Sequence, residues 1–185
     1  LLSRMKVNPK YDKSCSLILC FDGIYGRQLR GAIYDSYKSN RTLASEGAST
    51  HEGKDVRDIF SSSGLEVNDL KPRWTSEYDE NKEADDLIAE LCMSELLKGH
   101  KVVIISGDTD LFQLLRYPDV RLHNLRKEIT AADVEEKYGV KPDHFADWKA
   151  LAGDSSDNIP GVQGIGEKKA AKLLKQYAAL ENIPS

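Results

Sequence analysis

The chain has 185 residues, with 30 acidic against 26 basic and a formal net charge of −4, long enough for one core-bearing domain and a small appendage. A mean hydropathy of −0.50 and the lack of any apolar run near ~18 residues exclude a helical membrane span. The mild acidity counts at first sight against a nucleic-acid partner, because such domains carry a basic surplus.

The chain opens at Leu1 without a signal-peptide pattern, and its first residues read as the middle of a helix, which places the natural start upstream. Residues 16–21 (S-L-I-L-C-F) form a short, nearly continuous apolar run that predicts a strand buried on both faces. Residues 25–41 carry Arg27, Arg30, Lys38 and Arg41 against the single Asp35. Tyr25, Tyr34 and Tyr37 are interleaved with them, so the segment offers cations for phosphates and rings for unpaired bases. Taken alone, it is equally a solvated amphipathic helix. Residues 42–54 are small and polar and predict a mobile loop.

Residues 84–98 place Leu87, Ile88, Leu91 and Cys92 on one helical face, with Gly99 as a stop. A second strand is expected at 101–106 (K-V-V-I-I-S) and a third at 120–125. Strands alternating with helices predict a parallel α/β sheet. Thr130 and Asp133 have the spacing of a capping box and start a helix over 130–138. Helices follow at 143–152, with Phe145, Trp148 and Leu151 on one side, and at 166–177, with Ala170, Leu173, Leu174 and Tyr177 facing inward. No internal repeat is present. Cys15, Cys20 and Cys92 are too scattered for a disulfide framework or a C-x-x-C metal site and point to a reducing compartment. His51, His100, His123 and His144 are dispersed and carry no assigned role.

Four acidic groupings punctuate these elements. Asp22 follows the first strand, and Glu83, Asp85 and Asp86 (E-A-D-D) open the following helix. Asp108 and Asp110 (G-D-T-D) follow the second strand, and Asp154 and Asp157 (G-D-S-S-D-N) close a helix. Asp22 and Asp108 thus stand at the carboxyl ends of strands, where open α/β sheets place their ligands. Glu83 and Asp86, at i and i+3, share a helix face near the positive end of its dipole. Eight converging carboxylates would repel one another and raise several pKa values unless cations were bound. Oxygen-only ligands suit Mg2+ or Mn2+ rather than zinc. Two such ions would activate a water and stabilise the leaving oxygen of a phosphodiester. Each grouping alone has a plain structural account: a charged helix start, a turn residue, an N-cap or an Asx-rich turn. Their joint placement at element ends is what points to a metal site.

Residues 160–169 (P-G-V-Q-G-I-G-E-K-K) enter a lysine-rich helix. Gly161, Gly164 and Gly166 permit a tight turn whose amides approach a phosphate, with Lys168 and Lys169 beside it. No strand precedes the glycines, against a dinucleotide fingerprint, and no Lys-Ser/Thr pair follows them, against a P-loop. A helix-hairpin-helix that grips the DNA backbone without reading bases fits best; a structural turn between two helices is the alternative.

F-D-G, then Y-K-S-N-R, E-A-D-D, G-D-T-D, G-D-S-S-D-N-I-P-G and G-V-Q-G-I-G-E-K, in this order over 1–183, resemble the 5′-nuclease family: the 5′-nuclease domain of bacterial DNA polymerase I, phage 5′-exonucleases and flap endonucleases. The resemblance implies a PIN-like parallel sheet flanked by helices over 1–129 and a C-terminal helix-hairpin-helix region over 130–185. It implies structure-selective 5′→3′ exonuclease or flap endonuclease activity on DNA with a free 5′ end (flap, overhang or nick), by two-metal-ion hydrolysis in a monomer. By it, Asp22, Glu83, Asp85, Asp86, Asp108, Asp110, Asp154 and Asp157 match metal-binding positions. Tyr37, Lys38 and Arg41 match a basic element that positions the scissile phosphate, and Arg30 matches a further basic position. Gly161, Gly164 and Gly166 match a hairpin that holds duplex DNA through a monovalent cation such as K+. The family opens with a strand ending in another metal-binding Asp, and no such segment stands before Leu1. The implied location is intracellular, in a nucleoid or a DNA-containing organelle. A catalytically incomplete branched-DNA-binding module and a PIN-type ribonuclease remain as alternatives.

With eight of the 30 acidic residues set aside as metal ligands, 26 basic residues face 22 acidic ones. The surplus falls in 27–41 and 168–175, the segments expected to touch phosphate.

Overall fold

The computed structural model describes residues 16–40, 74–124 and 126–184. The helix expected at the start of the chain, the loop expected at 42–54, Arg41 and the last position of the expected 120–125 strand lie outside the described residues. The first apolar run forms β1 (Leu17–Phe21), which pairs in parallel with β2 (Trp74–Tyr78) from Leu17 opposite Trp74 to Phe21 opposite Tyr78. The second forms β3 (Val102–Ile105), parallel to β4 (Val120–His123), and a two-residue β5 (Glu128–Ile129) closes the edge antiparallel to β4. The parallel pairing expected from alternating strands and helices is present in both pairs. They form separate sheets among the described residues. β1 is half-buried along its length rather than covered on both faces.

Between β1 and β2 runs α1 (Gly26–Ile33), and α2 (Ala84–Leu97) connects the two sheets, packing on β1, β2 and β3. α2 starts where the acidic cluster does. Glu83 is its N-cap, and the Asp86 carboxylate accepts the Glu83 backbone N–H at 3.1 Å, which satisfies a donor that the helix start leaves unpaired. Leu87 and Cys92 of the expected apolar face are buried. After β3 the chain enters a tight helical segment at Asp110–Arg116, whose Leu111, Phe112, Leu114 and Leu115 all face inward.

The later helices follow their apolar spacing. α3 (Ala131–Tyr138) begins at the Thr130–Asp133 capping box. α4 (Phe145–Ala152) buries Phe145, Trp148 and Leu151. α5 (Glu167–Tyr177) buries Ala170, Ala171 and Leu174, with Leu173 and Tyr177 only half-buried. One hydrophobic cluster runs from Cys92 and Ile104 through Leu122 and Phe145 to Leu174. Aromatic rings tie its middle, with Tyr138 edge-on to Trp148 at 5.0 Å and Trp148 stacked on Phe145 at 5.5 Å. The Trp148 indole N–H donates to the Glu167 carbonyl at 3.1 Å, so α4 and the start of α5 are locked together on both the apolar and the polar side of the ring.

Candidate metal centre

Five of the eight singled-out carboxylates come together, from three places in the chain. Asp85, Asp108 and Asp110 form one group, and Asp110, Asp154 and Asp157 form another, with the ligand atoms of each group within 4.8 Å of one another. Asp85 comes from the first turn of α2 and Asp108 and Asp110 from the end of β3. Asp154 and Asp157 come from the turn after α4. The turns are pre-shaped by the carboxylates themselves. Asp108 Oδ1 accepts the Asp110 amide at 2.9 Å, and Asp154 Oδ1 accepts the Ser156 amide at 2.8 Å and its hydroxyl at 2.5 Å. Paired backbone bonds between Asp154 and Ile159, both 2.8 Å, close the second turn.

Burial, then the charges of Asp108, Asp110 and Asp22, push the Asp85 carboxyl up to about 7. A buried carboxylate crowded by other acids resists ionisation, and a bound cation would stabilise its charged form. The donor set is all oxygen, with no histidine or cysteine in either group, which fits a hard divalent ion.

The remaining three carboxylates have other partners. Asp22 Oδ1 accepts the Ala84 backbone N–H at 2.8 Å and pins the end of β1 to the start of α2. Glu83 is 5% exposed, and its Oε2 accepts from Arg30 at 2.7 Å, Lys38 Nζ at 2.6 Å and the Tyr37 hydroxyl at 3.1 Å. Arg30 spans two acids, its other terminal nitrogen donating to Asp86 Oδ1 at 2.7 Å. Burial opposes the charge on Arg30 and Lys38, yet their bonds to Tyr37 and Glu83 leave both pKa values above the ordinary range. Tyr37 is 8% exposed, with the Lys38 ammonium 4.9 Å from its ring centroid. Burial pushes its hydroxyl pKa up. Its ring is packed inside this cluster, whereas Tyr25 and Tyr34 are exposed. Arg41 lies outside the described residues.

Lys149 carries no signal among the acidic motifs, yet it sits in the second carboxylate group. Its Nζ donates to Asp110 Oδ1 and, at 2.5 Å, to Asp154 Oδ2. Burial works against both charges, but the Lys149 ammonium and Ser156 outweigh it and hold the Asp154 carboxyl down at about 2. The one hint in the sequence is a lysine inside the apolar helix F-A-D-W-K-A-L-A, one turn before G-D.

The glycine hairpin joins α4 to α5. Gly161 and Gly164 take left-handed φ values of 68° and 76°, and Gly166 is the N-cap of α5. A Cβ on Gly161 would stand 2.4 Å from the Gly153 nitrogen, where the Val162 amide donates to the Leu151 carbonyl at 2.9 Å. Lys168 and Lys169 are exposed beside the turn. Among the described residues no helix is long and apolar enough to cross a membrane.

Residues 3–139 match the family model "5′-3′ exonuclease, N-terminal resolvase-like domain", and residues 140–185 match "5′-3′ exonuclease, C-terminal SAM fold". The chain is 38% identical to the thermostable DNA polymerase I of Thermus aquaticus over 91% of its own length and 19% of that protein's. It is 48% identical to the DNA polymerase I of Bacillus caldotenax over 56% of its length and 12% of that protein's. It thus spans less than a fifth of the length of these curated relatives. The T5 5′-exonuclease, solved with divalent zinc ions bound, superposes with a TM-score of 0.70 at 26% identity, over 98% of this chain and 68% of that one.

Proposed function

The chain belongs to the 5′-3′ exonuclease family, and on that premise we propose that it hydrolyses DNA phosphodiesters near a free 5′ end, at a flap, overhang or nick. The observation that carries the proposal is the pair of carboxylate groups sharing Asp110, set beside a clustered Arg30–Tyr37–Lys38.

Asp85, Asp108, Asp110, Asp154 and Asp157 are the residues proposed to hold two Mg2+ or Mn2+ ions. Bound there, such ions supply Lewis acidity to the phosphodiester oxygens and lower the pKa of a water. Asp22, Glu83 and Asp86 surround that set, Asp22 by anchoring α2 and the other two by holding Arg30 and Lys38. Lys38 and Arg41 are proposed to offset the charge that develops on the phosphate oxygens. Arg30 and Tyr37 orient Lys38, and Arg30 is proposed to add a further contact to the DNA. Gly161, Gly164 and Gly166, with Lys168 and Lys169, are proposed to grip duplex phosphates, with K+ at the hairpin. Cutting is then guided by shape and a free end rather than by base edges.

In this proposal 1–129 form the cutting core and 130–185 the DNA-holding region, joined through the cluster around Phe145 and Leu122. The protein acts as a monomer on DNA in a nucleoid or DNA-containing organelle. Asp108→Ala abolishes Mg2+-dependent cleavage of a 5′-flap substrate while flap binding in Ca2+ stays measurable. Unchanged cleavage would refute the metal assignment. An equal rate on a matched RNA flap would favour the ribonuclease alternative.

A further inference from the structure

Two turns 115 to 122 residues apart in sequence are fastened to one another. One is the 36–40 turn that carries Tyr37 and Lys38, and the other is the 154–158 turn that carries Asp154 and Asp157. Each lends an asparagine to the other's backbone. The Asn158 side-chain amide donates to the Ser36 carbonyl and to the Ser39 hydroxyl, both at 2.9 Å. The Asn40 amide donates to the Ser155 carbonyl at 3.0 Å. Between them the Lys38 backbone N–H donates to the Asp157 carbonyl at 2.9 Å, and Arg27 donates to the Lys38 carbonyl at 2.8 Å.

Both turns are bent at a non-glycine residue in the left-handed region, with φ 50° at Lys38 and 59° at Asn158. Such a conformation at a lysine persists only where its surroundings over-determine it. Here the over-determination is this set of bonds. We propose that Asn158 is a positioning residue for the nuclease function proposed above. Its amide clamps the Lys38 turn onto the turn that supplies Asp154 and Asp157, and so holds the Lys38 ammonium in register with the second carboxylate group.

The residue type follows from two demands. The backbone favours a residue that tolerates the left-handed region at little cost, and Gly, Asn and Asp do so most readily. The Ser36 carbonyl needs an N–H donor, which glycine lacks and a carboxylate cannot supply. Of the three, asparagine alone meets both.

Asn158→Gly keeps the backbone conformation and removes both donors. In the full chain, hydrogen exchange at the Lys38 amide then speeds up by about tenfold or more, because the bond to Asp157 opens locally, while exchange at Asp154 and Ile159 is unchanged. Asn158→Asp, which also accepts the conformation but cannot donate to the Ser36 carbonyl, likewise speeds exchange at Lys38. Wild-type exchange at Lys38 in both variants overturns the proposal whether or not the chain cuts DNA. On a 5′-flap duplex with Mg2+, the single-turnover rate of Asn158→Gly falls by about a hundredfold, the scale of a misplaced catalytic group, with the Mg2+ requirement and flap binding in Ca2+ unchanged. In a Lys38→Ala background the same substitution adds no further loss. An equal loss in both backgrounds, or a rising Mg2+ requirement that accounts for the slower rate, assigns Asn158 to general folding and overturns the positioning role. If the wild-type chain leaves the flap uncut, the nuclease function fails, and the Lys38 exchange still decides the clamp.

Discussion

Lys149 and Asp85 are two answers to one electrostatic problem, the crowding of carboxylates around Asp110. In the second group the repulsion is relieved by an ammonium, bonded to Asp110 and Asp154. Lys149→Met leaves those acids facing each other, and in chelator the loss is about 1–2 kcal/mol, between that of an exposed and that of a fully buried pair because the site is partly exposed. In saturating Mg2+ the loss is smaller, since a bound cation replaces the missing charge; thermal melts with and without EDTA check this. In the first group the Lys38 charge offsets only part of the repulsion, and the Asp85 carboxyl is still pushed up to about 7 by burial and by Asp108, Asp110 and Asp22. A folded pKa raised above the unfolded value of ~3.9 means that the contribution of Asp85 to metal-free stability is fully present below that value. It is lost as pH rises through about 7. The chelated protein therefore melts lower at pH 8 than at pH 5, and Asp85→Asn reduces that difference. Parallel curves for the two proteins would contradict it.

At the scale of elements, the hairpin between α4 and α5 depends on two glycines for different reasons. Gly164 has a left-handed φ but open space around a would-be Cβ, whereas a Cβ on Gly161 would also strike the backbone of Gly153. Gly164→Ala thus costs about 1–2 kcal/mol of conformational strain. Gly161→Ala costs about 3 kcal/mol or more, because steric overlap adds to that strain. Equal midpoints in urea denaturation would contradict the close approach. The capping boxes divide differently. Thr130 and Asp133 serve the start of α3 and an exposed pair with Lys127, while Glu83 and Asp86 cap α2 and also anchor Arg30 and Lys38. The same local motif is a plain helix stop-start in one place and part of the site in the other.

For the whole molecule, the net charge of −4 averages over two opposite fields. Five of the acids converge on one centre, and basic clusters stand in the 27–41 segment of the sequence and at the exposed start of α5. If the hairpin holds DNA phosphates, each lysine there contributes to counterion release. Lys168→Ala with Lys169→Ala then lowers the slope of log affinity against log salt by about two, roughly one per phosphate contact. Fluorescence anisotropy on duplex DNA with Ca2+ replacing Mg2+ measures it, and an unchanged slope removes the two lysines from the interface.

Much of this was legible in the linear chain. β1, β3, the start of α3, the buried face of α4, and the order of the acidic motifs all follow from apolar spacing, cap residues and the linear order itself, which are local properties. β2 was not, because W-T-S-E-Y has no apolar alternation and exists as a strand through its pairing with β1. Nor was the interior of the site. That Glu83 and Asp86 hold Arg30, that Glu83 holds Lys38, that Asp110 is common to two groups, that Lys149 reaches Asp110, and that Asn158 reaches Ser36 all depend on pairings between distant segments, up to 122 residues apart. Periodicity reports which face of an element is apolar, and motif spacing reports which residues share a turn. Which charge meets which depends on how the sheets and α2 bring distant turns together, and only the tertiary structure decides that.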